Sequence, residues 1–237
     1  MKKDIVFFDA DDTLWENEEY FRGAEKDFAE LLHKNADLST IQQILWARQE
    51  GNIPIFGYGS KTYMLGMLDT ALDVCGGNLS AEIYQGIKKI ITNLAYHRFD
   101  LIDGVEKALG QVKEMGYELA VATKGDLTEQ LLKYRQSGLS RFFHHIEVLE
   151  NKDTKNYLEL CAKFDIAPED LIMIGNSVKS DIAPVIEIGG RAIYIPYKSV
   201  WVHEMAPMPK SPRVFEAKSI SEVPEILKNF PGCSAEQ

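Results

Sequence analysis

Four short, almost unbroken apolar runs punctuate the chain, at 5–8 (IVFF), 118–122 (ELAVA), 171–174 (LIMI) and 192–195 (AIYI). Each is bounded by Asp, Gly, Thr or Pro, the pattern of parallel strands buried on both faces, although periodicity alone leaves a short buried helix open. Between them the period changes. Val105, Leu109 and Val112 fall four and three residues apart, and Tyr157, Leu160, Cys161 and Phe164 repeat that spacing, so 105–115 and 156–164 read as amphipathic helices. Strands alternating with helices predict an open α/β sheet.

The alternation is interrupted early. No second strand pattern follows the first until about Glu118, and the interval contains GAEKDFAELLH, LSTIQQILWARQ, SKTYMLGMLDTAL and SAEIYQGIKKIITNLAYH, all helical in pattern. Ser39 and Ser80 are candidate N-caps, and Cys75-Gly76-Gly77-Asn78 is a turn signal. The expected organisation is an α/β core domain of residues 1–15 and 98–237, with a helical domain of residues 16–97 inserted after the first strand. The alternative is a longer packing face of one core. Beyond Ile195, Pro196, Pro207, Pro209 and Pro212 mark a long loop before a last short strand near Val214 and a helix opening near Ser221.

Composition narrows the partners. A chain of 237 residues, 45% hydrophobic and 26% charged, is globular and leaves room for one domain and an insertion. With 36 acidic against 26 basic residues the net charge of −10 repels polyanions, so no nucleic acid is expected. No apolar run reaches the length of a signal peptide core or a membrane span, so no membrane partner is expected. Cys75, Cys161 and Cys233 show neither disulfide nor zinc spacing, which fits a reducing, cytoplasmic setting. His33, His97, His144, His145 and His203 form no ligand spacing, and nothing in the sequence indicates an oligomeric state.

The first strand runs into Asp9-Ala10-Asp11-Asp12-Thr13-Leu14-Trp15. Ligands of open α/β sheets sit beyond the carboxyl ends of the strands, so these carboxylates stand at the expected mouth of a site. Two carboxylates on alternate positions of one tight loop repel each other unless a cation neutralises them, and hard oxygen donors favour Mg²⁺.

Asp9-x-Asp11-x-Thr13 at the end of an N-terminal strand resembles motif I of the haloacid dehalogenase-like hydrolase superfamily, most of whose members are aspartate-nucleophile phosphatases. The remaining motifs follow in order. Ala122-Thr123-Lys124-Gly125 is similar to motif II, Lys152-Asp153-Thr154-Lys155-Asn156-Tyr157 to motif III, and Gly175-Asn176-Ser177-Val178-Lys179-Ser180-Asp181 to motif IV, usually written GDSxxxD. The resemblance spans about Asp4 to Pro196 and implies a Rossmann-type core with a helical cap.

For function the resemblance implies a phosphatase acting on a small phosphomonoester. Asp9 would attack phosphorus, Asp11 would exchange protons with the leaving group and then with water, and Lys152 with the Thr123 hydroxyl would steady the phosphoryl oxygens. Lys124 stands beside Thr123 as a further substrate contact, and Lys155 competes with Lys152 for the lysine role. Asp9, the backbone carbonyl of Asp11, Asn176 and Asp181 would hold Mg²⁺, with Asp181 either direct or through water. Asn176 replaces the usual aspartate and removes one negative charge from that shell. Asp12 reads as solvated or capping, and Thr13 as a brace for the loop.

Rival readings are a 2-haloacid dehalogenase, a phosphomutase and a non-catalytic phosphate-binding relative. Halide departs without a proton, so Asp11 separates dehalogenase from phosphatase, while Asn176 leans slightly toward the former. Selectivity would come from the helical insertion, where residues 51–61 (GNIPIFGYGSK) are expected to form a substrate-facing loop with Tyr58 and Lys61 as contacts. Tyr197, Trp201 and His203 are candidates to line the same cleft, though covering the core is the simpler role.

Overall fold

The computed structural model describes residues 5–96, 99–199 and 204–230. His97, Arg98, Trp201, His203 and Cys233, and with them the expected domain boundary at 97/98, lie outside the described residues. The strands are β1 (Ile5–Phe8), β2 (Glu118–Lys124), β3 (His145–Leu149), β4 (Ile172–Gly175), β5 (Arg191–Tyr194) and β6 (Val214–Glu216). They form one six-stranded sheet in the order β3-β2-β1-β4-β5-β6, and every described pairing is parallel.

The helices are α1 (Glu18–Leu32), α2 (Leu38–Phe56), α3 (Ser60–Val74), α4 (Ala81–Tyr96), α5 (Val105–Glu114), α6 (Leu127–Gln136), α7 (Thr154–Phe164), α8 (Ala183–Glu187) and α9 (Val223–Lys228). β1, β4 and the middle of β2 are apolar because both faces are covered. Val6, Phe8, Leu119, Val121, Ile172 and Ile174 pack with Val105, Leu109 and Val112 of α5 and Val223 and Leu227 of α9. Ile5, Phe7, Ala120, Ala122 and Met173 point the other way, onto Tyr157, Leu160 and Cys161 of α7 and Val185 of α8.

β3 carries no unbroken apolar run, and the pattern of hydrophobic positions misses it. It is one of the two edge strands, paired among the described residues with β2, and its residues are half-buried or exposed, so HIEVL needs no apolar residue at every position.

Two compact units result. The first comprises Met1–Glu18, Phe99–Lys124 and Lys133–Gln237, the second Glu19–Arg98 and Gly125–Leu132. The second unit has its own apolar interior, built from Phe28, Leu32, Ile41, Leu45, Met67, Ala71 and Ile87. Segment 125–132, expected in the core domain, belongs instead with the helical unit. There the Ser60 N–H donates to the Glu129 carboxylate at 2.9 Å and Lys61 pairs with Asp126 at 2.7 Å.

Two local expectations are corrected. Residues 51–56 are not loop but the last turns of α2, with Pro54 inside the helix. Proline lacks only its own N–H, and next to the helix end that removes one bond, while Gly57 at φ 76° closes the helix by donating to the Ile53 carbonyl at 2.9 Å. The N-cap of α2 is Asp37, which accepts from the Thr40 N–H at 3.0 Å, and Ser39 lies inside the first turn. Ser80 does cap α4, accepting from the Ile83 N–H at 3.2 Å.

Candidate active site

Connections leave β1 toward β2 and β3 and then cross to β4 on its other side, so the strand order reverses between β1 and β4. Such a switch point opens a crevice at the carboxyl ends of those two strands. The loops after both converge there. The Asp9 N–H extends the ladder to the Ile174 carbonyl at 2.8 Å, and the Ala10 carbonyl then accepts from Thr13 at 3.2 Å and Leu14 at 2.8 Å, turning the chain sharply. Asp12 takes the left-handed conformation this turn requires, φ 62°, and its carboxylate accepts from the Asn17 and Glu18 N–H groups at 2.8 and 3.0 Å. Asp12 is thus the cap at the start of α1.

Asp9 is buried and held from two sides. Thr13 Oγ1 lies 3.0 Å from Asp9 Oδ2 and 3.2 Å from Asn176 Oδ1, so one hydroxyl bridges the loops after β1 and β4. Lys152 Nζ reaches Asp9 Oδ1 at 2.5 Å and Asp181 Oδ1 at 2.7 Å. Lys152 is placed by the capping of α7, whose N-cap Asp153 accepts from the Asn156 N–H at 2.9 Å. Lys155 instead lies on the exposed side of that helix, 3.8 Å from Glu159.

The loop after β4 wraps around Asp181. The Ser177 N–H donates to Asp181 Oδ2 at 2.9 Å, the Ser180 N–H to Ser177 Oγ at 3.0 Å, and the Tyr157 hydroxyl to the Ser180 carbonyl at 3.0 Å. Gly175 is required there by space, since a Cβ would stand 2.7 Å from Asp181 Cβ.

The electrostatics follow from burial. Loss of water pushes the Asp9 carboxyl up to about 7, with Asp181 adding to the rise and Lys152 opposing it. Burial alone would lower Lys152, but the flanking Asp181 and Asp9 carboxylates outweigh it and hold the ammonium at about 12. Burial also drives the Tyr157 phenol well above its usual range, leaving it a proton donor.

Asp11 stands in the same loop with different partners. Trp15 Nε1 donates to Asp11 Oδ1 at 2.7 Å, and Lys133 Nζ contacts Asp11 Oδ1 and Oδ2 at 3.1 and 3.0 Å. Thr123 is buried near the end of β2, beside the loop that carries Asp9. Lys124 turns toward the loop after β4, donating to Ser180 Oγ at 2.8 Å and pairing with Glu204. Glu204 also accepts from Ser177 and Ser180. Burial would raise its carboxyl, yet Lys124 and the two hydroxyls hold it below its usual range. Tyr58 lies in the turn after α2 and Lys61 in the first turn of α3, both in the helical unit, with Lys61 exposed on Asp126.

The donors gathered here are hard oxygens: the Asp9 and Asp181 carboxylates and the Asn176 amide oxygen. No three His, Cys, Asp or Glu side chains cluster as a metal site among the described residues. Asp9 and Asn176, bridged by one hydroxyl, are suited to a small oxygen-seeking dication that keeps several waters. Both oxygens of Asp181 are already engaged, one by Lys152 and one by the Ser177 N–H.

Comparison with known proteins identifies the family. The family model described as "Hydrolase: haloacid dehalogenase-like hydrolase" matches residues 3–189. The chain is a haloacid dehalogenase-like hydrolase. A hydrolase of the same family from Xanthomonas campestris has a structure matching with TM-score 0.86 at 37% identity, over 96% of this chain and 91% of that one. Glyceraldehyde 3-phosphate phosphatase of Pyrococcus abyssi is 26% identical over 208 residues, 81% of each chain. The 2-haloacid dehalogenase of Pseudomonas syringae shares the fold, with TM-score 0.64 at 22% identity, over 96% of this chain and 99% of that one.

Lys133, Glu204 and Trp15 of this hydrolase's site escape sequence reasoning. Lys133 and Gln130 form the buried side of α6 while Leu127 is 59% exposed, the reverse of what the residue types suggest. Glu204 sits in the irregular Pro-rich stretch between β5 and β6, where no period marks it. Trp15 is fully buried, and its indole N–H serves Asp11. No helix among the described residues is long and apolar enough to cross a membrane.

Proposed function

We propose that the protein is a Mg²⁺-dependent phosphatase that hydrolyses a small phosphomonoester through an aspartyl-phosphate on Asp9. Hydrolysis of phosphate esters is the class of reaction to which kinship with the phosphatase relatives points. The observation that carries the reading is the position of Asp9, buried at the switch point with Lys152 on one oxygen and Thr13 on the other.

Asp9 supplies the attacking oxygen. Lys152, fixed between Asp9 and Asp181, carries positive charge to where the phosphoryl oxygens gather charge in flight. The Thr123 hydroxyl at the neighbouring strand end adds a donor. Asp11 gives a proton to the departing alkoxide and takes one from the water that cleaves the intermediate. Asp9, Asn176 and the Asp11 backbone carbonyl would hold Mg²⁺, with Asp181 acting through a water; bound there, the ion supplies charge that shields Asp9 from the substrate anion.

A dehalogenase has no use for a second carboxylate, and here Asp11 is held by two donors, Trp15 of the same loop and Lys133 of α6. The curated relatives suggest glyceraldehyde 3-phosphate as the first compound to assay. The test is a panel of phosphorylated metabolites with Mg²⁺, run beside Asp9→Asn and a 2-haloacid control. Phosphate release that vanishes in the variant is expected; undiminished release, or chloride release from the haloacid, overturns the reading. Replacing Tyr58 and Lys61 together should change the ranking of substrates, and an unchanged ranking removes them as selectors.

A further inference from the structure

Lys133 buries an ammonium in a place that the motifs do not explain. It is 3% exposed, and its nitrogen lies within hydrogen-bonding distance of three oxygens, Asp11 Oδ1 at 3.1 Å, Asp11 Oδ2 at 3.0 Å and Asn17 Oδ1 at 2.7 Å. The ring of Phe99 covers it, with the nitrogen 4.9 Å from the centroid. A cation withdrawn from water this far persists only when paired and hydrogen-bonded, so the contact with Asp11 is obligatory for the lysine. Trp15, fully buried, adds its indole N–H to Asp11 Oδ1 at 2.7 Å. Asp11 is thereby held by two rigidly packed donors from opposite parts of the chain, one on its own loop and one on α6.

We propose that Lys133 is a positioning residue for catalysis: with Trp15 it fixes the Asp11 carboxyl in the orientation from which the leaving group is protonated. This rests on the phosphatase reading and adds a role for α6 that the four motifs do not contain. In the step concerned, Asp11 takes up a proton that arrives with the substrate's phosphate; the oxygen of Asp9 then bonds to phosphorus, the bond from phosphorus to the leaving oxygen breaks, that proton passes from Asp11 to the leaving oxygen, and Asp11 returns to the carboxylate that pairs with Lys133. In the steps up to departure of the leaving group, a misdirected Asp11 would hurt only substrates whose leaving group needs the proton. A lysine that merely pins the loop would, when lost, slow all substrates alike.

The test is kcat/KM with Mg²⁺ for a series running from p-nitrophenyl phosphate through less acidic phenyl phosphates to an alkyl phosphate, since this ratio reports steps up to departure of the leaving group. Positioned acids contribute about 10²- to 10⁴-fold, so Lys133→Met is expected to lose roughly 10- to 100-fold on the alkyl ester and less than about threefold on p-nitrophenyl phosphate. Asp11→Asn should steepen the dependence further, Trp15→Phe less, and Lys133→Met combined with Asp11→Asn should be no steeper than Asp11→Asn alone. Lys133→Gln, which keeps a donor for Asn17, carries the test if the methionine variant does not fold. Equal losses across the series, or a steepening in Asp11→Asn with none in the lysine variants, overturn the role of Lys133 while leaving the phosphatase intact. No wild-type turnover on any member overturns both.

Discussion

The two units bury polar groups in opposite ways. The interior of the helical unit contains Gln49, Ser60, Thr62, Thr70 and Gln130, all neutral, whereas the α/β unit buries Asp9, Lys133, Lys152 and Asp181. A neutral hydroxyl is satisfied by a nearby backbone carbonyl, as Thr70 shows by donating to Gly66 at 2.7 Å and Thr62 by donating to Phe56 at 3.4 Å. Buried charges have no such local remedy and cost more to desolvate than their pairing returns. A fold that keeps Asp9, Lys152 and Asp181 in mutual contact, and Lys133 of α6 against Asp11, carries that cost in the α/β unit, whereas the helical unit is held by apolar packing.

The contrast is most exposed at Lys152. Lys152→Met leaves Asp9 and Asp181 buried without their shared cation, so an unfolding free energy lower by about 3–5 kcal/mol is expected together with loss of turnover by several orders of magnitude. Chemical denaturation in the presence of a chelator checks the first and phosphate release the second. A stable, active Lys152→Met would mean that the lysine is not what balances the site.

In the helical unit the same scale of damage should arise without chemistry. Phe28 and Leu45 are fully buried, and truncating either to alanine should cost about 2–5 kcal/mol while the kcat of the remaining folded molecules stays within about threefold. A large fall in kcat with little loss of stability would show that this interior is tuned for catalysis and not only for packing.

Acidity offers a smaller and sharper probe. The Asp9 carboxyl stands at about 7 in the folded chain against 3.8 as its reference value, so between those limits the folded state binds more protons than the unfolded one. Stability of the metal-free protein should therefore fall as pH rises through that window and level off above it. Burial raises Asp12 to about 7 as well, so Asp9→Asn should flatten only part of the slope. Urea titrations at pH 5 and pH 8 with chelator measure it, and identical slopes in both proteins would refute desolvation as the cause.

What the sequence reveals follows the same division. β1, β2, β4 and β5 are legible because burial on both faces forces continuous apolar runs, and the motif residues because chemistry fixes their spacing at strand ends. The edge strand β3 is illegible because none of its residues is fully buried, which relaxes the apolar pattern. Lys133 and Glu204 are illegible for another reason: their partners lie 122 and 80 positions away, at Asp11 and Lys124, and no local period encodes such pairs. In the helical unit the helices are plain from their periods, but their ends are not, since Asp37 and Ser39 are equally good caps by residue type.

That last ambiguity gives the finest test of the neutral unit, because it sets residues of similar capping strength against each other within a few positions. Asp37 accepts from the Thr40 N–H at 3.0 Å and from the Thr40 hydroxyl at 2.9 Å, whereas Ser39 sits two residues further on, inside the first turn, and contacts Gln43 at 3.4 Å. Ser80 accepts from Ile83 at 3.2 Å. Replacement by alanine should then cost about 1 kcal/mol at Asp37 and at Ser80, and close to nothing at Ser39, where alanine improves the helix propensity. Thermal denaturation of the three variants resolves differences of this size. If Ser39→Ala proved the costly one, the helix would begin two residues later than Leu38, and the hydroxyl rather than the carboxylate would close its first turn.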